Sequence, residues 1–154
     1  MAFAFRLNFV DVICDNSLKN TYTNGKKNGY EFDVRLSYYR GLFLSCIDKL
    51  EVFVNEEKVC DSDITFCLNN KEFSVNQLSH LISEFWQLTE PAKILIRKPN
   101  GLPLGKHHIK LDLMLRVPYL PLPGADGQRI YMPLDSCGEK TFELSESNGK
   151  EVNL

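Results

Sequence analysis

The stretch HHIKLDLMLRV, residues 107–117, constrains the fold more than any other part of the chain. One side of its alternation consists of His107, Ile109, Leu111, Leu113, Leu115 and Val117, and the other of His108, Lys110, Asp112, Met114 and Arg116. Because successive side chains of a strand point to opposite faces, the pattern predicts a long strand with one buried face. Such strands are typical of antiparallel sheets that cover a core on one side.

Other segments indicate further strands. Residues 30–38 alternate in the same way, and residues 1–12, 92–98, 129–134 and 140–145 also have strand character, the last two as a pair. LEVFVNEEKVC and ITFCLNNKEFSV predict two hairpins, which turn at Asn55–Lys58 and at Asn69–Asn70. The predicted fold class is all-β, an antiparallel β-sandwich of jelly-roll-like type, whose strand order the sequence leaves open.

One short α-helix is predicted after Ser74. Gln77 stands three residues later, which is the spacing of a capping box. An apolar face at helical spacing then consists of Val75, Leu78, Leu81 or Ile82, and Phe85, and Pro91 prevents the helix from continuing. We expect this helix to lie across an edge of the sheets.

Length and charge limit the remaining classes. The 154 residues predict a single domain, with the sandwich over residues 1–145 and a polar C-terminal tail over 146–154. Eighteen basic and twenty acidic residues give a net charge of −2 without a basic run, so we expect no nucleic acid partner. The sequence has no apolar run of about 20 residues and no signal peptide, so we expect no membrane association and a cytoplasmic location, where the five cysteines stay reduced.

The sequence offers no clear catalytic centre. His107 and His108 are adjacent on a strand and point to opposite faces, and His80 is distant, so we predict no metal site and no cofactor site in this chain. Phosphate-binding and serine-nucleophile motifs are absent. A Cys–His pair stays open, because such residues converge in space, although no cysteine has an activating neighbour in sequence.

Aromatic residues and arginines at strand ends and in loops indicate a binding surface instead. The segment RVPYLPLPGADGQRIYMP, residues 116–133, adds four prolines and predicts a stiff apolar loop. Packing against the chain's own sandwich is the alternative for each of these residues. The candidate partner-interface or pocket-lining residues are Tyr38, Tyr39, Arg40, Trp86, Arg116, Tyr119, Leu120, Leu122 and Arg129.

Three blocks of sequence resemble the small beta subunit of bacterial C-glycoside deglycosidases. They are FDVRLSYYRGLFLSCIDKLEVFVN, DITFCLNNKEFSVNQL and EPAKILIRKPNGLPLGKHHIKLDLMLRVPYLP. The resemblance extends from about residue 10 to about residue 145, and the order of the blocks makes it specific.

The resemblance implies a β-sandwich that pairs with a larger alpha subunit, a TIM barrel. The barrel would hold a divalent metal ion, commonly manganese, and the acid–base residues. Together the subunits would cleave the carbon–carbon bond between the sugar and the flavonoid or other aromatic aglycone of a 3-oxo-C-glucoside, by elimination. This chain would be the non-catalytic subunit of that lyase.

Two structural expectations follow from this resemblance. Tyr38, Tyr39 and Arg40 would turn toward the barrel, with Gly41 allowing a close backbone approach. The interval Leu120–Gln128 would cover the mouth of the barrel and shape the aglycone pocket.

Two other classes of function compete with this interpretation. A carbohydrate-binding β-sandwich module would use Trp86 and Tyr119 as a sugar platform. An independent small enzyme would use Cys–His chemistry.

Overall fold

The structure is a computed structural model that describes residues 4, 6, 11–123 and 129–145 of the chain. Its strands confirm the all-β antiparallel class. Among the described residues they are β1 (Lys19–Thr23), β2 (Lys26–Val34), β3 (Leu42–Phe43), β4 (Ile47–Val54), β5 (Glu57–Lys58), β6 (Ile64–Leu68), β7 (Lys71–Ser74), β8 (Phe85–Trp86), β9 (Ala92–Arg97), β10 (Gly105–Pro123), β11 (Arg129–Asp135) and β12 (Gly138–Leu144).

Two large sheets contribute to one core. The first has the order β1-β2-β9-β6-β7, and the second has the order β11-β10-β4-β5 with β12 also paired to β10. Phe32, Phe66 and Ile94 of the first sheet and Val52 and Leu111 of the second are fully buried in a single hydrophobic cluster. Burying a side chain of this size stabilises the fold by about 1.5–3 kcal/mol, so this shared core accounts for the sandwich.

Strand β10 is the longest element, and its buried face is the one that the alternation predicts. The sequence predicts that β11 and β12 pair with each other, but in the structure they do not. Both pair with β10 in one continuous register, with Met114 opposite Asp135 and Leu111 opposite Gly138. The two strands therefore form one long arm of a hairpin, which is interrupted only at residues 136–137.

The proline-rich segment is strand where the sequence predicts a loop. β10 continues to Pro123, and β11 begins at Arg129. The register shifts between Val117 and Pro121, so residues 118–120 form a bulge. A bulge leaves residues out of the ladder of hydrogen bonds and therefore tolerates the missing donor of a proline.

The predicted α-helix is wrong in type and extent. The Ser74–Gln77 capping box is present, but it opens a 3₁₀ helix, Val75–His80, and Phe85 lies in β8. The carbonyl of Leu81 accepts from the backbone N–H of Ser45, and the carbonyl of Glu84 accepts from that of Leu44. These tertiary bonds use carbonyls that an α-helix would need, and an isolated short helix is too unstable to compete. The other 3₁₀ helices of the described residues are Leu44–Cys46 and Asp61–Asp63.

The asparagine turns follow the prediction. Asn55, Asn69 and Asn70 all have positive φ angles, as tight hairpin turns require. Sequence reasoning missed a third such hairpin, β1–β2, whose Asn24–Gly25 turn is an established hairpin signal.

The two ends of the chain are described only in part. The expected first strand, residues 1–12, lies mostly outside the described residues, as does the expected tail, 146–154. Ile13 forms an isolated antiparallel bridge with Val34. No helix in the described part of the chain is long and apolar enough to cross a membrane.

Candidate functional site

Four of the candidate side chains meet at one end of the sandwich. β2 ends at Val34, earlier than predicted, and the chain then turns through residues 38–40 beside the bulge of β10. There Tyr38, Tyr39, Arg40 and Tyr119 form a contiguous group, which we call the tyrosine–arginine cluster.

The cluster is held together by stacking and by one hydrogen bond. The ring centroids of Tyr38 and Tyr39 are 4.4 Å apart, and the hydroxyl of Tyr119 donates to that of Tyr38 at 3.0 Å. The guanidinium carbon of Arg40 lies 4.5 Å from the centroid of the Tyr119 ring, within the range of a cation–π contact. Tyr119 is 79 or more positions away from the other three residues in the sequence, so the fold brings the group together.

The two adjacent tyrosines of the cluster differ in exposure. Tyr38 is 2% exposed, whereas Tyr39 is 56% exposed. Burial raises the pKa of Tyr38 far above its ordinary value, so its hydroxyl stays protonated. Tyr38 therefore positions the others and is not itself an exposed residue, contrary to the expectation from sequence.

Arg116 is fixed beside the cluster by its own chain. One guanidinium nitrogen donates to the carbonyl of Ser45 at 2.6 Å and lies 3.2 Å from a carboxylate oxygen of Asp48. Arg40 differs, because it has no ion pair with any residue that the structure describes. Of these two arginines, only Arg40 presents a charge without a carboxylate partner in the part of the chain that the structure describes.

Trp86 is a core residue, so its expected place on the surface is wrong. It is 1% exposed, its indole N–H donates to the carbonyl of Glu90 at 2.8 Å, and its ring packs edge-on against Phe66 with centroids 5.4 Å apart. Its indole N–H is hydrogen-bonded and its ring is packed within the chain, so neither is available to a partner.

The close approach at Gly41 occurs within the chain as well. A Cβ at this position would lie 2.4 Å from the carbonyl oxygen of Trp86 and 2.6 Å from the ring of Phe85. Gly41 therefore allows the segment 38–43 to pack on β8, and the expectation that it serves an external partner has no support from this contact.

The remaining candidates lie along the hairpin beyond the bulge. Leu120 is exposed. The backbones of Leu122 and Arg129 belong to β10 and β11, but their side chains are outside the description, as are residues 124–128. The expected lid, Leu120–Gln128, is thus a strand up to Pro123, and its tip lies outside the described residues.

Sequence reasoning missed Phe43, which forms an aromatic pair with Phe85 next to the cluster. Phe43 of β3 and Phe85 of β8 are both partly exposed, and their rings meet edge-on with centroids 4.9 Å apart. Phe43 sits inside an almost wholly apolar run, GLFL, in which the exposed position has no polar neighbour to mark it. The alternation of buried Leu42 and Leu44 around it was the available signal.

A pocket of about 610 Å³ borders the cluster. Its walls include the two adjacent tyrosines Tyr38 and Tyr39, together with Leu88 and Pro91. Arg35 and Thr89 also line the pocket, but most of its exposed surface is apolar, so it suits an apolar group better than a charged one.

The histidines do not form a metal centre. His107 is buried, with Nε2 2.7 Å from the carbonyl oxygen of Pro103 and Nδ1 3.0 Å from the amide nitrogen of Asn55. A carbonyl only accepts, so Nε2 carries the proton and Nδ1 accepts from Asn55, which leaves no lone pair for a metal. His108 lies 3.3 Å from Glu139. Within residues 4, 6, 11–123 and 129–145, no three His, Cys, Asp or Glu side chains converge as metal ligands.

The thiols are poor nucleophiles with one exception. Burial raises the pKa of Cys67 and of Cys137 to about 11, and it also raises the pKa of Cys14 and Cys46. Cys60 is exposed, and a hydrogen bond with Ser62 lowers its pKa. No hydrogen bond joins a cysteine to a histidine among the described residues.

Comparison with known proteins gives a consistent result. A family model described as the C-glycoside deglycosidase beta subunit matches residues 9–119, which include the whole tyrosine–arginine cluster. The chain is 33% identical over 116 residues to the C-glycoside deglycosidase beta subunit of Eubacterium cellulosolvens, covering 71% of this chain and 79% of that protein.

Two further relatives have related descriptions. The 3'-dehydrocarminate deglycosidase beta subunit of a Microbacterium species is 31% identical over 99 residues, covering 64% of this chain and 74% of the relative. A C-glycoside deglycosidase beta subunit of Arthrobacter globiformis is 27% identical over 88 residues, covering 57% of this chain and 67% of the relative.

Proposed function

This chain belongs to the C-glycoside deglycosidase beta subunit family, and we propose that it is the small subunit of a heteromeric enzyme that cleaves C-glycosides. The observation that carries the proposal is the family match over residues 9–119. The proposed partner is a TIM-barrel alpha subunit, which contains the reaction centre.

The proposed substrate is a 3-oxo-C-glucoside with a flavonoid or other aromatic aglycone. The ketone makes the adjacent sugar C–H acidic, so a base removes that proton and the electron pair forms a new double bond in the sugar. The carbon–carbon bond to the aglycone breaks, and an acid adds a proton to the aglycone carbon. The products are an unsaturated keto sugar and the free aglycone, and no oxidant or reductant is consumed.

A divalent metal ion, proposed to be manganese, would supply Lewis-acid stabilisation of the enolate in the complex. The described residues of this chain do not fit such an ion. The histidine that lies nearest the core, His107, has both ring nitrogens engaged by Asn55 and Pro103, and no three-ligand group is present in the described residues. We therefore assign the metal and the acid–base residues to the partner, and no step of the reaction to this chain.

The role of this chain is to support the barrel and to shape the aglycone side of its site. The tyrosine–arginine cluster offers aromatic surface and an arginine, residue types that dominate binding energy at interfaces. The sugar-platform alternative loses one of its two aromatics, because Trp86 is buried in the core, and the guanidinium of Arg40 covers part of the other, Tyr119.

Co-expression with a candidate barrel subunit from the same genome tests the proposal. We expect the two chains to copurify and to release the aglycone from a 3-oxo-C-glucoside, while this chain alone releases none. The unoxidised C-glucoside serves as the substrate control, because without the ketone the sugar C–H is not acidic. Turnover by this chain alone, or failure of the two chains to associate, would contradict the proposal.

A further inference from the structure

The large exposed apolar side chains of the described residues are unevenly distributed. Leu104 stands apart from the rest, because it lies just before the first residue of β10, at the end of that strand away from the bulge. The others group around the bulge of β10, β3 and β8, and we call this group the apolar end. Its members are Tyr39, Phe43, Ile82, Phe85, Leu88, Tyr119, Leu120 and Ile130.

Contacts within the chain join the centre of the apolar end. Arg40 lies over Tyr119, and the next residue, Gly41, packs against the ring of Phe85, which contacts Phe43. The surface thus runs from the bulge of β10 to the β3–β8 pair through Arg40 and Gly41, so it combines apolar side chains with one charged group.

Further contacts extend it in two directions. The backbone hydrogen bond between Ser45 and Leu81 brings Ile82 to the side of β3. Tyr39 and Leu88 line the same pocket. Ile130 pairs with Leu122 on the hairpin beyond the bulge, so the hairpin continues the surface.

The exposed apolar area matches the requirement for a stable complex. The eight side chains are between 37 and 76% exposed. At about 200 Å² for each fully exposed side chain, they present roughly 700 Å², close to the ~800 Å² that each partner buries in an interface of standard size. Soluble monomers rarely expose a patch this large without an interaction.

Charge favours a partner of different sequence over a second copy of this chain. Two ion pairs lie beside the surface, since Arg116 pairs with Asp48 and Glu84 pairs with Lys71. Arg40 has no carboxylate partner among the described residues. Two copies facing each other through this surface would place two such arginines on the same interface, and like-charge repulsion disfavours that arrangement.

We propose that the apolar end is the surface on which the catalytic subunit docks, with a carboxylate of that subunit opposite Arg40 and one of its apolar side chains in the pocket beside Tyr39 and Leu88. This inference rests on the proposed function. It enlarges the expected contact from residues 38–40 to include Phe43, Ile82 and Phe85, which lie on different segments.

The test measures the affinity of purified variants for the barrel subunit that copurifies with the wild type. Ile82 is 76% exposed, so Ile82→Asp changes the surface with little effect on folding. Leu104→Asp is the matched control, because Leu104 is 58% exposed and lies outside the apolar end. Circular dichroism and thermal unfolding verify that each variant is folded.

We expect Ile82→Asp and Tyr39→Asp each to weaken binding by at least about tenfold, and Leu104→Asp to bind like the wild type. Arg40→Glu should weaken binding most at low salt, because the charge contribution is screened as ionic strength rises.

If the wild type binds the barrel, and Ile82→Asp and Tyr39→Asp bind it as tightly as the wild type does, the proposed docking surface is wrong and the proposed function stands. If the wild type binds no barrel subunit, the proposed function fails first. Self-association of the wild type that Ile82→Asp abolishes, without any barrel binding, would identify a second copy as the occupant and would overturn the inference.

Discussion

Replacement of Gly41 by alanine tests the packing that holds the apolar end in place. The added Cβ would lie 2.4 Å from the carbonyl oxygen of Trp86 and 2.6 Å from the ring of Phe85. The ring can rotate, but the carbonyl belongs to the backbone of β8, so β3 and β8 must separate. Overpacking of this kind costs about 1–3 kcal/mol, and we expect Gly41→Ala to lower the free energy of unfolding by about 2 kcal/mol.

Urea denaturation measures this change, with fluorescence of Trp86, the single tryptophan of the chain, as the probe. For a urea m-value of about 2 kcal/mol/M, a loss of 2 kcal/mol lowers the midpoint by about 1 M. The double variant Gly41→Ala, Phe85→Ala removes the ring contact but keeps the carbonyl contact. The double variant should therefore still have a lower free energy of unfolding than Phe85→Ala alone, although by less than the difference between Gly41→Ala and the wild type.

Gly25→Ala is the contrasting control. Its Cβ would meet no atom within 4 Å, but its φ is +80°, so its cost of about 1 kcal/mol comes from the backbone conformation alone. A midpoint for Gly41→Ala equal to that of the wild type would refute the steric argument and with it the described packing of β8 on the segment 38–43.

Three further changes test other contacts. Asn55→Ala loses the bond to Nδ1 of His107 and must keep a φ of 52°, so we expect a loss of about 2 kcal/mol in thermal or urea unfolding; Asn55→Gly keeps the turn and should lose less. Tyr119→Phe removes one hydroxyl bond and should cost about 1 kcal/mol, and an unchanged midpoint would count against that bond. Iodoacetamide at pH 8 should label Cys60 before Cys67, because burial raises the pKa of Cys67 to about 11 while a hydrogen bond lowers that of Cys60; mass spectrometry showing the reverse order would contradict these assignments.

The strands could be predicted because a period of two is visible wherever one face is polar. β10 and the two asparagine hairpins have that pattern in the sequence. The helix after Ser74 could not be predicted correctly, since its local signals are real but the carbonyls of Leu81 and Glu84 bond to a segment 36 or more residues earlier in the chain. Local propensity carries no information about such partners.

The residues of the candidate site could be predicted only in part, because local patterns carry no information about contacts between distant segments. Tyr39 and Arg40 were recognisable as surface residues by type, and Tyr119 joins them only because the bulge of β10 turns toward them. Trp86 has the same residue character but lies in the core, and Phe43 is exposed within an apolar run. Residue type and alternation therefore predict exposed aromatic residues, whereas the set of residues that share one surface depends on contacts between segments.

The most direct measurement of the central claim is a titration of this chain into a purified barrel subunit supplied with its metal ion and a 3-oxo-C-glucoside. The account predicts that release of the aglycone rises with added chain and saturates when the barrel is fully bound, with no release by the chain alone. A rate that does not change as the chain is added, or turnover that scales with the chain in the absence of the barrel, would contradict it.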